Sequence, residues 1–109
     1  MAAFLRNAQM TNRKPPPDAG SLLLLGQANR GFRGEIRAID AGAAASALAA
    51  EELERRLIEL GFVEGSLVEV LHEGPFGGDP IAVRVNNATI ALRRREAMAI
   101  WVTPAEQAR

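Results

Sequence analysis

Between positions 32 and 40 apolar and charged residues alternate. Phe32, Ile36 and Ala38 lie on one register, and Arg33, Glu35 and Arg37 on the other. A period of two marks a strand with one buried face, so residues 32–40 are predicted to form the first strand. Gly31 and Gly34 near its start allow a bend or bulge. The period then changes. Leu53, Leu57 and Leu60 recur at i, i+4 and i+7, which is one apolar stripe of a helix over 51–60. Glu51 and Glu52 suit the positive end of its dipole. Glu51–Arg55 and Glu52–Arg56 are i, i+4 pairs in the favoured order, and Gly61 is placed to end the helix. The leucine stripe reads as core. The face carrying Glu52, Arg55, Arg56 and Glu59 reads as solvated.

Strand character then returns. Residues 66–72 are mostly apolar. Ile81, Val83 and Val85 alternate with Ala82, Arg84 and Asn86, and Ala88, Ile90 and Leu92 alternate with Thr89, Ala91 and Arg93. Between these two runs Asn86-Asn87 tolerates left-handed backbone angles and predicts a hairpin. Residues 74–80 are a cluster of turn formers and read as a loop. Residues 94–99 read as a short helical turn, and 100–102 as the last strand. Ahead of the first strand, 21–25 is expected to form one helical turn, capped by Ser21 and packed on the barrel end. Five short strands with faces to hide make a mainly β chain, a small barrel with one α-helix inserted after the first strand.

The length of 109 residues fits one domain with tails. Residues 1–20, with Pro15, Pro16 and Pro17 in a row, are expected to be a flexible leader. Residues 21–103 are assigned to the barrel and 104–109 to a short tail. Aromatic residues make up only 5%, so the core must come from Leu, Ile, Val and Ala. A domain this small buries only about 60% of its unfolded surface, so support from self-association or a partner is expected. The formal net charge is zero, which argues against nucleic acid as the partner. Cysteine is absent. That excludes disulfides and thiolate metal sites and suits a reducing cytoplasm. No apolar run is long enough to span a bilayer.

Catalysis has few groups to work with. There is no Cys or Tyr, and His72 is the single histidine. Ser21, Ser46 and Ser66 lack a His and carboxylate constellation. No catalytic residue is assigned and no cofactor is required. The 74–80 segment lacks the Lys-Ser/Thr ending of a phosphate cradle. It reads instead as a contact loop with Phe76 as an apolar tip. Arg93, Arg94 and Arg95 form a basic run. It is either a solvated face or a contact for an acidic protein surface or anionic lipid. Divalent metals that accept carboxylate and imidazole ligands, ferrous iron among them, have candidate donors in His72, Glu73 and Asp79, with Glu69 nearby. Simple alternation places Glu69 and His72 on opposite faces, against a shared site.

Three segments together resemble one family. Leu57-Ile58-Glu59-Leu60-Gly61-Phe62 followed by Gly65, Val68 and Val70 is similar to the Leu-x-x-Leu-Gly-hydrophobic-x-x-Gly core of the ferrous iron transport protein A (FeoA) family. Gly74-Pro75-Phe76-Gly77-Gly78-Asp79-Pro80 resembles that family's loop, and Leu92-Arg93-Arg94-Arg95-Glu96-Ala97 its Leu-Arg-x-x-Glu-Ala ending. The resemblance spans residues 32–102. It implies an SH3-like barrel and a small cytoplasmic accessory protein of ferrous iron uptake. The implied partner is the membrane ferrous iron transporter with its GTP-binding domain (ferrous iron transport protein B), which alone would bring the chain to the inner membrane. Contact residues are expected among Leu60, Gly61, Gly65, Pro75, Phe76, Asp79, Pro80, Arg93 and Arg94. A homo-oligomer is a further expected partner state. The alternative is a stand-alone metal-responsive regulatory module, related to the SH3-like domain of iron-dependent repressors. The chain departs from the family pattern in its leader and in the long Ala-rich segment 41–50.

Overall fold

The computed structural model describes residues 22–43 and 47–105. Six strands form one antiparallel sheet: β1 (Leu23–Leu24), β2 (Arg33–Ile39), β3 (Leu67–Gly74), β4 (Gly78–Val85), β5 (Ala88–Leu92) and β6 (Ile100–Pro104). Their order across the sheet is β1-β6-β2-β3-β4-β5. Helix α1 (Ala47–Glu59) lies between β2 and β3, and the short α2 (Arg94–Ala97) between β5 and β6. The expected leader and the Ser21 cap lie outside the described residues.

Alternation sets the core. Val68 and Val70 of β3 face Val85 and Val83 of β4, and Ile81 of β4 faces Leu92 of β5. All six are buried, together with Ile36, Ile100 and Val102. Cross-strand apolar pairs of this kind fix the register, because a slip of one residue would turn the whole set to solvent. The hairpin between β4 and β5 turns on Asn86 and Asn87 with φ of 51° and 68°, the left-handed pair expected for a type I′ turn.

The end of α1 explains the Leu-x-x-Leu-Gly-Phe segment. The Gly61 N–H donates to the Ile58 carbonyl and the Phe62 N–H to the Leu57 carbonyl. These are the two bonds of a Schellman motif, with Gly61 as its left-handed residue at φ 104°. Leu57 and Phe62 are both fully buried, which supplies the apolar contact that accompanies the motif. Leu53 and Leu60 pack against the same core from partly buried positions.

Four expectations are corrected. Helix α1 reaches back to Ala47, because alanine has the highest intrinsic helix propensity. Leu23–Leu24 is a sixth strand paired with Trp101 and Val102 of β6, and the helical turn follows it at Leu25–Gln27. The 74–80 loop is a tight hairpin whose turn is only residues 75–77. In β3 the register shifts between Val70 and His72. Glu69 pairs with Arg84 and His72 with Ala82, two residues apart on one strand. The bulge therefore puts Glu69 and His72 on the same outer face, not on opposite ones.

Candidate functional site

The hairpin of β3 and β4 projects Phe76 at its turn, where the residue is 80% exposed, more than any other large apolar residue among those described. The turn is closed by the Phe76 N–H, which donates to the Asp79 carbonyl at 3.3 Å. Beside it lies a shallow groove of about 420 Å³ lined by Phe76, Asp79, Pro80, Ala91, Arg93 and Glu96. Pro80, Ala91 and Arg93 are exposed.

Arg94 anchors this hairpin. Its guanidinium is mostly covered, with Nε donating to the Gly78 carbonyl at 2.9 Å. Nη1 donates to the carbonyls of Gly26 at 3.1 Å and Ala28 at 2.8 Å. Nη2 lies 3.3 Å from Glu73 Oε1, and the Arg94 N–H donates to Asp79 Oδ1 at 2.8 Å. One planar fork thus satisfies three carbonyls and a carboxylate, a geometry an ammonium cannot reproduce. The sheet order begins at β1 and ends at β5. Arg94 follows β5 and Gly26 follows β1, so this side chain ties the two ends of the sheet together.

Arg94 is therefore unlike its two neighbours. Arg94 is structural, whereas the side chains of Arg93 and Arg95 are exposed and make no ion pair among the described residues. The adjacent Glu96 is occupied. Its Oε1 accepts the Arg93 N–H at 3.1 Å, closing the first turn of α2, and its Oε2 pairs with Arg56 of α1 at 2.5 Å.

The proposed metal donors do not converge. His72 is exposed on the outer face. Glu73 Oε2 accepts the Arg30 N–H at 2.6 Å while its other oxygen faces Arg94. Asp79 is bound to the Arg94 amide. Among the described residues no group of three or more His, Cys, Asp or Glu side chains is placed to hold a metal ion. Of the other expected contact residues, Leu60 and Gly61 close α1, Gly65 lies in the exposed turn before β3, and Pro75 flanks Phe76. Leu60, Gly61 and Gly65 therefore lie at the α1 end of the domain, apart in the fold from the hairpin turn.

No curated protein matches the sequence at a significant level. A family model for the FeoA domain matches residues 23–104. Among solved structures, FeoA from Chlorobium tepidum is 34% identical with a TM-score of 0.60, covering 75% of this chain and 70% of that one. FeoA from Stenotrophomonas maltophilia, solved with zinc and described as a prokaryotic SH3 domain protein, is 30% identical with a TM-score of 0.59, covering 79% and 93%. A manganese-dependent transcriptional repressor is 26% identical with a TM-score of 0.62, covering 84% of this chain and 44% of the repressor. The family model spans three quarters of the chain and its motif residues form the Schellman turn, the hairpin and the Glu96 cap, so the fold is SH3-like and the chain belongs to the FeoA domain family.

Proposed function

We propose that this chain is a small, non-enzymatic accessory protein of ferrous iron transport that docks on the cytoplasmic part of the membrane ferrous iron transporter. Membership of the FeoA family supports the transport role. The observation that carries docking is Phe76, 80% exposed on a turn that Arg94 holds in place. An aromatic side chain presented on a rigid support loses little entropy on binding, which is why such residues act as interface anchors. Among the described residues no helix is long and apolar enough to cross a membrane, so contact with the bilayer is assigned to the partner. The test is calorimetric titration of the full chain into the transporter's cytoplasmic region, with and without guanine nucleotide. Phe76→Ser is expected to weaken binding about tenfold or more. An unchanged affinity in that variant, or no binding by the wild type under any condition, refutes the reading.

The likeness to the manganese-dependent repressor supports a second reading, a metal-responsive regulatory module. Calorimetry with ferrous and manganous ions decides it. On this reading metal binding is abolished by His72→Ala, and absence of heat from either ion removes the reading.

A further inference from the structure

The groove beside Phe76 also carries information about the chemistry of its occupant. Its lining is apolar at Phe76, Pro80 and Ala91, and its carboxylates accept hydrogen bonds from within the chain, Asp79 from the Arg94 amide and Glu96 from the Arg93 amide and Arg56. Arg93 lines this groove, and Arg95 lines the next one, which runs along α1 and shares Glu96 with the first. Neither guanidinium has an ion-pair partner among the described residues, although carboxylates of the chain lie within the same two grooves. Their forked donors suit bidentate recognition of a carboxylate. The apolar lining suits one large side chain seated against Phe76.

We infer that this surface recognises a protein segment carrying an apolar anchor next to acidic residues, with the anchor against Phe76 and the carboxylates on Arg93 and Arg95. The inference rests on the docking reading above and names the partner chemistry of that site. A purely lipidic occupant is disfavoured because a headgroup makes no use of the apolar lining beside Arg93.

The experiment uses the full chain and a random linear peptide library displayed on phage. Selection is expected to enrich peptides in which Asp or Glu lies within a few residues of Leu, Phe or Trp. Synthetic versions of these peptides are expected to bind about tenfold more weakly to Arg93→Glu/Arg95→Glu and to Phe76→Ser. Arg93→Gln/Arg95→Gln, which adds no new charge, is expected to lose part of that affinity. The inference is overturned by failure to enrich any peptide, by enriched peptides without acidic residues, or by equal affinity for the charge-reversed variant. It is also overturned if vesicles of phosphatidylglycerol in phosphatidylcholine bind the chain through Arg93 and Arg95 with no dependence on Phe76. Titration of the same variants into the transporter's cytoplasmic region separates the two readings. Binding that needs Phe76 but ignores charge reversal keeps docking and rejects the acidic segment. Enrichment of acidic peptides without binding by the transporter region does the reverse.

Discussion

The guanidinium of Arg94 donates to the carbonyl of Gly26, 68 residues earlier in the chain, at 3.1 Å. The bond joins the turn after the last strand in the sheet order to the turn after the first. A barrel this small has few contacts with which to hold its ends together. Arg94→Ala leaves the carbonyls of Gly26, Ala28 and Gly78 without this donor and Glu73 without its cation. Chemical denaturation is expected to show a loss of about 2–4 kcal/mol. Arg94→Lys is expected to recover less than half of it, since one ammonium cannot reach acceptors spread in three directions. A loss under about 0.5 kcal/mol for Arg94→Ala refutes the closure role.

Gly26 tests the same junction from the other side. A Cβ at this position lies 2.4 Å from the Arg94 carbonyl oxygen and 2.7 Å from Met98 Sδ. The thioether can move; the carbonyl belongs to the backbone of α2 and cannot move alone. Gly26→Ala is expected to cost about 1–3 kcal/mol by overpacking. Gly42→Ala, whose nearest atom is Asp40 Oδ1 at 3.6 Å, is the control and is expected to stay within about 0.5 kcal/mol of wild type. Equal thermal shifts for the two variants argue against a tight junction.

Helix α1 predicts a contrast between adjacent residues. Leu57 is fully buried and supplies one carbonyl of the Schellman motif, while Ile58 is 45% exposed. Leu57→Ala is expected to destabilise by about 2–5 kcal/mol through lost burial and the cavity left behind. Ile58→Gln exchanges an exposed apolar surface for a good helix former and is expected to change stability by less than about 0.5 kcal/mol. Paired urea titrations measure both, and comparable losses refute the assigned orientation of the helix.

The parts of this fold legible in the sequence are those written in local period. The alternation of Ile81, Val83 and Val85, the stripe of Leu53 and Leu57, and the Asn86-Asn87 turn each follow from residues within one element. Sequence reasoning missed what distant residues decide. Leu23–Leu24 is too short to show a period and is a strand because β6 offers it an edge at Trp101 and Val102. The bulge in β3 falls at Leu71, a residue with no bulge signature, and it moved His72 to the face of Glu69. The candidate site divides in the same way. Phe76 was visible as an apolar residue among turn formers. The distinction between Arg94 and its two neighbours was not, because three consecutive arginines are identical until carbonyls from residues 26, 28 and 78 select one of them.

Thr103 gives a prediction of the opposite sign. It lies in β6, is fully buried, and its Oγ1 has no hydrogen-bond partner among the described residues. Burying a hydroxyl without a partner costs its desolvation and returns nothing. Valine has nearly the same shape and a higher strand preference. Thr103→Val is therefore expected to raise stability by about 1 kcal/mol, seen as a higher urea midpoint with an unchanged slope. Thr103→Ser keeps the hydroxyl and removes a buried methyl, so it is expected to fall below wild type by about 1 kcal/mol. If Thr103→Val instead lowers the midpoint, the hydroxyl is hydrogen-bonded in solution and the prediction fails.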